Sequence, residues 1–246
     1  MALKAAPETQ ALLLDLQAFD TKLAQLDHRA KSLPELATLA GFAKDADVLR
    51  LKLGEQNGAV EDVKIELRRI ESDVEVVEAR IARDAERLQV SSSVKDVSAL
   101  EQELAALRKR LNDLEEIELT VMEKLEAAQT EVDNTTAAFE ALQARTAEVE
   151  VDRDAALSSI GAERATAAGG RAALEAKIPA DLLALYERQR ARYGTGASML
   201  RGGVSLASGV KLLENEMQAI RAAAPDDVIM CASSEAILVR TAESGL

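Results

Sequence analysis

Two short units near the C-terminal end of this 246-residue chain, Ser205-x-x-Ser208 and Cys231-x-x-Ser234, carry the spacing of a two-knuckle metal site, with 22 residues between them. Tetrahedral structural zinc is held by thiolates or imidazoles in paired C-x-x-C-like units about 15 to 25 residues apart. The spacing fits and the donors do not. A serine hydroxyl stays protonated at neutral pH, so one thiol and three hydroxyls are not expected to close a zinc site; no metal and no other cofactor is expected. Catalytic chemistry is limited by what the chain lacks. His28 is its only imidazole, which removes histidine-based triads and multi-histidine metal centres. The stretch Gly203 to Ala207, centred on Ser205, has the outline of a nucleophile elbow without its closing glycine or a base. Arg201, Gly202 and Gly203 suggest a phosphate cradle, but no Gly-Lys-Ser/Thr ending follows and Lys211 comes too late. A turn entering the first knuckle accounts better for these glycines. Cys231 has no histidine or nearby lysine to activate it. The carboxylate runs Glu71, Asp73, Glu75, Glu78 and Asp113, Glu115, Glu116, Glu118 read as solvated helix flanks. No enzymatic activity is expected.

Long helices must position these units. Apolar residues recur at steps of three and four through Leu49, Leu53, Val60, Val63, Leu67, Ile70, Val74, Val77, Ile81 and Leu88, and again from Leu100 through Leu104, Leu107, Leu111, Leu114, Val121, Leu125, Val132, Phe139, Leu142 and Val149. An average step of 3.5 sustained over so many turns is the seam of a left-handed coiled coil. The polar stretch 91–96 between the two series is short, which implies antiparallel neighbours with Phe42 close to the region of Val149. At about 1.5 Å per residue, arms of this size reach roughly 80 to 120 Å and predict a rod. Ser32 followed by Pro34 marks a helix start, so a separate first helix covers about 9–30 and packs on the end of the second arm or on a short helix over 180–192. Gly54, Asn57 and Gly58 predict a bend or fraying in the first arm, and Gly161 with Gly169-Gly170 predict freedom to swing near the end of the second. The expected domains are a helical hairpin over 1–178 (first helix about 9–30, arm 34–90, tip 91–96, arm 97–176) and a smaller unit over 179–246.

The composition agrees with long helices. Aromatic residues make up 2% of the chain, with no tryptophan, and charged residues make up 30%. No stretch approaches the roughly 18 to 20 apolar residues of a membrane span, and the first residues lack the apolar core of a secretory leader. A cytoplasmic protein without membrane association is the expectation, and a single cysteine forbids an internal disulfide. The net charge of −13 disfavours nucleic acid as a partner of the whole surface, yet the stretch Lys177 to Arg221 is locally about +3. Within that basic joint, Arg188, Arg190, Arg192 and Arg201 accompany Tyr186 and Tyr193. One reading has the arginines on phosphates and the tyrosines stacked on bases. The other, preferred because two aromatics make a small platform, has Tyr186 and Leu182 packed beneath the C-terminal unit while the arginines neutralise acidic helix ends.

The flanks of the knuckles carry a family likeness. Ile220 to Val228, with Pro225, Asp226 and Asp227, leads into Cys231, and Ile237 to Arg240 with Thr241 and Glu243 close the chain; Pro179 to Arg188 precedes them as a short helix. Together these resemble the tail of the bacterial C4-type zinc-ribbon family, in which a long N-terminal helical hairpin carries a small ribbon. In that family glycine follows each knuckle; Gly209 keeps it after Ser208, whereas Glu235 replaces it after Ser234. The resemblance implies a mainly α protein, a long antiparallel coiled-coil hairpin followed by a small zinc-ribbon-like β domain, here with a degenerate metal site. It also implies an adaptor, since members look like adaptors linked to an alternative sigma factor and to flagellar or secretion components. With no metal to hold the ribbon, Val228, Ile229 and Met230 are expected to pair with Ile237, Leu238 and Val239 in a small sheet leaning on helix 180–192. The expected function is a non-enzymatic scaffold binding protein partners through hairpin and ribbon, with RNA or DNA binding at the basic joint as the alternative. Apolar positions off the seams, Ile65, Val76, Ile117 and Leu119, leave the oligomeric state open.

Overall fold

The computed structural model describes residues 3–246. Helix α1 spans Pro7–Lys31, α2 Pro34–Val90, α3 Val94–Glu175 and α4 Ala180–Tyr193; strands β1 (Ala197–Arg201) and β2 (Val204–Ser205) precede α5 (Glu214–Ala222), and β3 (Ile229–Met230) and β4 (Ile237–Val239) precede a 3-10 turn at Ala242–Ser244. Proline opens both α1 and α2, where its missing N–H costs nothing. The hairpin tip is shorter than expected, three residues rather than six, because Ser93 accepts the Asp96 N–H at 3.4 Å and lets α3 begin at Val94.

The chain divides into two compact units, Glu35–Val151 and, from the two ends of the chain, the described residues up to Pro34 with Asp152–Leu246. The expected cut at 178/179 does not follow this division. Packing joins residues 3–34 and 152–178 to the C-terminal residues, a long-range association that no local composition shift marks.

In the unit Glu35–Val151, α2 and α3 pair antiparallel. Val60 and Ile70 from α2 and Leu104, Leu114, Val121 and Val132 from α3 are buried along the seam. Arg80 pairs with Glu103, the Arg50 guanidinium lies 5.6 Å from the Phe139 ring centre, and that of Arg145 lies 4.9 Å from the Phe42 ring centre. Asp84 is buried on the same seam, held by Arg87 at 3.1 Å and Arg80 at 3.8 Å. Contrary to the expected fraying, α2 stays helical through Gly54, Asn57 and Gly58. Both glycines face open space, and a propensity deficit of up to about 1 kcal/mol each is outweighed when the flanking turns are held by the seam.

In the other unit, α1 lies on the end of α3: Leu26 and Leu33 pack with Ile160, while Leu13 and Leu16 pack with Ile178, Leu182 and Tyr186. Gly170 is a point of close approach and not a swivel. A Cβ there would come within 2.5 Å of the Phe19 ring. The sheet order is β2-β1-β4-β3, with β1 parallel to β4 and β3 antiparallel to it. The expected strand pair is present, with Ile229 opposite Leu238 and Met230 opposite Ile237. Alternation along β4 sends Ile237 and Val239 into the core with α1 and α4, and Leu238 into a second core with Leu200, Leu212, Cys231, Met217 and Ile220. Helix α5, which supplies Met217 and Ile220, was not foreseen. Glu216 reaches back to the Leu213 N–H at 2.7 Å and caps its start. The residues preceding α1 extend the sheet: the Val228 N–H donates to the Leu3 carbonyl at 3.0 Å and the Ala5 N–H to that of Asp226 at 2.8 Å.

Candidate functional site

The two knuckles have the same backbone. In the first, Ser205 N–H donates to the Val210 carbonyl at 3.2 Å and Gly209 N–H donates back to the Ser205 carbonyl at 2.9 Å; in the second, Cys231 N–H donates to the Ala236 carbonyl at 2.9 Å and Glu235 N–H to the Cys231 carbonyl at 2.8 Å. Each turn ends on a left-handed residue, Gly209 at φ 65° and Glu235 at φ 56°. Glu235 therefore does what the missing glycine would do, at a steric cost glycine avoids.

Three of the four knuckle side chains converge. The hydroxyls of Ser205 and Ser234 are buried, have no oxygen or nitrogen partner, and lie beside the Cys231 thiol. Ser208 turns into its own loop and accepts the Val210 N–H at 3.3 Å. Burial pushes the Cys231 thiol up, but the Ser205 and Ser234 hydroxyls and the backbone N–H groups of Ser234 and Ser233 outweigh it and hold the thiol below its ordinary value. Among the described residues no three of His, Cys, Asp and Glu come together to hold a metal ion. One thiol with hydroxyls does not fit zinc, whose structural sites need four anionic or imidazole donors.

The basic joint is only partly drawn into the fold, and Arg192 and Arg201 stay exposed. Tyr186 is fully buried and donates to Asp20 at 2.6 Å, so its ring has no face for a base. Arg190 pairs with Glu187 at 2.6 Å and lies 3.6 Å from Asp20; Arg201 pairs with Glu243 at 3.0 Å; the Arg192 guanidinium lies 5.2 Å from the Tyr193 ring centre. Arg188 is exposed.

Behind the joint is a buried network that the sequence reading missed. Asp20, with its side chain 6% exposed, takes Arg171 at 2.7 Å; Arg171 in turn pairs with Glu175 and Glu187. Gln17 accepts the Gly196 N–H at 2.7 Å. Burial, together with the hydrogen bond that the Tyr186 hydroxyl donates to Asp20, raises that hydroxyl above its ordinary pKa. Gly196 sits so close to Tyr186 that a Cβ would come within 2.5 Å of the ring and 2.8 Å of the Tyr186 carbonyl oxygen. The visible signal was Asp20 on the apolar stripe of α1, one turn after Leu16.

A coiled-coil hairpin with this connectivity has relatives. The family model of the CT398-like coiled coil hairpin domain matches residues 16–194. The chain belongs to that family. The match ends ahead of all four knuckle positions, so it covers the hairpin and not a zinc ribbon. An uncharacterized protein of Mycobacterium tuberculosis, Rv2229c, is 32% identical over 97% of this chain and 98% of its own length. A structure from Mycobacterium smegmatis is similar with a TM-score of 0.87 and 34% identity, covering 97% of this chain and 100% of that one. CT398 from Chlamydia trachomatis shares the fold with a TM-score of 0.67 at 17% identity, over 95% of this chain and 98% of its own. No helix among the described residues is long and apolar enough to cross a membrane.

Proposed function

We propose that the protein is a non-enzymatic coiled-coil adaptor of the cytoplasm that binds protein partners through its hairpin and its metal-free, ribbon-like C-terminal unit. The observation that carries this reading is the set of large apolar side chains left in solvent on an otherwise charged hairpin. Val48, Leu51, Ile65, Val76, Leu119 and Met122 are 49–72% exposed. Each is off the seam and leaves about half or more of its surface in solvent, and apolar area of this kind on a protein surface marks places where another protein sits. The ribbon-like unit stands on apolar packing instead of metal. Each fully buried aliphatic side chain contributes about 1.5 to 3 kcal/mol, and the cluster around Leu200, Leu212, Met217, Ile220 and Leu238 occupies the place beside Cys231.

Nucleic acid is the weaker reading, since Tyr186 is buried and Arg190 and Arg201 are paired. Affinity capture from native extract, with and without nuclease, tests both. Protein bands that survive nuclease support the adaptor. Loss of every partner on nuclease treatment, or a polynucleotide complex that weakens by about one log unit per log unit of salt for each phosphate contact, would refute it.

A further inference from the structure

Along α3 the exposed apolar residues and the acid coincide. Between Leu111 and Leu142 there are nine acidic residues and one basic, Lys124. The whole unit Glu35–Val151 has 27 acidic against 15 basic residues, a net of −12, which leaves −1 for the rest of the chain. Within this stretch an open groove of about 660 Å³ runs between the two arms, floored by Leu67 and Leu125 and walled by Leu119 and Met122. Leu119 is 62% and Met122 49% exposed. Glu123, Glu126 and Asp133 rim the groove, and the one cation on its wall, Lys64, is paired with Glu61 at 2.7 Å.

We propose that this groove is the docking site of a basic amphipathic helix from a protein partner, which lays its apolar stripe on Leu67, Leu119, Met122 and Leu125 and its lysines or arginines against Glu123, Glu126 and Asp133. The inference rests on the adaptor reading and names the class of partner. Residues 119, 122, 126, 129 and 133 follow one another at helical spacing along a single face, about 21 Å long, which matches about four turns of a partner helix. Two apolar walls one turn apart, one of them an unbranched thioether, accept an i, i+3, i+4, i+7 stripe without demanding one side-chain shape. The acidic rim selects against partners of like charge and speeds encounter with basic ones. A second copy of this chain is disfavoured as occupant, because each copy brings the same −12 to the contact.

The test uses the full chain and a dansylated 15-residue leucine/lysine peptide with leucines on one helical face. Two control peptides accompany it: the same composition with the leucines scattered round the helix, and a leucine/glutamate version with the original pattern. The facially amphipathic lysine peptide is expected to bind, at least tenfold more tightly than either control, and to weaken as salt rises. The double variant Leu119→Ser/Met122→Ser, whose exposed side chains leave the seam intact, is expected to lose at least tenfold while helix content by circular dichroism stays the same. Glu123→Lys/Glu126→Lys is expected to reverse the preference toward the glutamate peptide. Equal binding of the scattered peptide, or affinity unchanged within twofold in the serine variant, overturns the proposal. So does a dimer in sedimentation that the serine variant abolishes, since the occupant would then be a second copy. Capture from extract with both proteins separates the two levels of the argument: partners retained by the serine variant sink the groove and leave the adaptor standing, whereas no protein captured by the wild type sinks the adaptor.

Discussion

Replacing Asp20 by alanine removes the α1 carboxylate that joins α3 and α4. Its oxygens take Arg171 Nε at 2.7 Å and Nη2 at 3.3 Å, the Tyr186 hydroxyl at 2.6 Å, and lie 3.6 Å from Arg190 Nε. Truncating one partner of a buried ion pair costs about 3 to 5 kcal/mol, because the other charge stays buried without compensation. Arg171 keeps Glu175 and Glu187, so the lower end applies, about 3 kcal/mol. The Tyr186 hydroxyl is left with Gln17 at 3.3 Å as its remaining acceptor, which prevents the loss from falling much below that. Asp20→Asn keeps an acceptor for Tyr186 while losing the charge, and belongs between wild type and alanine. Urea unfolding followed by tyrosine fluorescence reads this directly. The chain has no tryptophan and its two tyrosines, Tyr186 and Tyr193, are both on α4, so the signal reports the unit that contains the network. A loss below about 1 kcal/mol for Asp20→Ala, or an asparagine variant as unstable as alanine, would show that the charge of Asp20 adds no net stability and would refute the reasoning.

Glu235→Gly should stabilise the chain by about 0.5 to 1 kcal/mol, read from the same urea midpoint, because it relieves a left-handed φ of 56° and costs only the extra freedom of glycine in the unfolded chain. Gly196→Ala should destabilise by about 1 to 3 kcal/mol, since the added methyl meets the ring and carbonyl of a fully buried tyrosine. Chelator should leave the unfolding midpoint unchanged and elemental analysis should find no stoichiometric zinc; a structural zinc would be worth about 10 to 16 kcal/mol and its removal could not go unnoticed. Asp84→Leu should raise the melting temperature of the hairpin by replacing a buried charge on the seam with an apolar side chain, and should loosen its register, detectable as added oligomers in sedimentation.

The seams were legible because every apolar residue that obeyed the three-and-four rhythm was also free to meet its counterpart across a short tip. Strands β3 and β4 were legible for a similar reason: two apolar triplets flank one turn. What sequence order concealed was association over long separations. Asp20 and Arg171 lie 151 residues apart, and no local pattern says that a carboxylate on an apolar stripe will find a guanidinium there. Gly170 read as a hinge because a sequence shows that a side chain is missing and not whether Phe19 fills the space. Helix α5 escaped notice because only Met217 and Ile220 of its nine residues are buried, too few to establish a period. At the knuckles, the spacing located the turns and their facing side chains, but that Ser208 would turn away from Cys231 depended on a loop hydrogen bond that spacing does not encode.

The matched backbone closures of the two knuckles separate form from content. Amide and carbonyl groups, common to every residue type but proline, close both loops, so the turns persist whichever side chains stand at 205, 208, 231 and 234. Such loops tolerate drift one position at a time: a substitution alters what the turns present to each other and leaves the turns themselves in place.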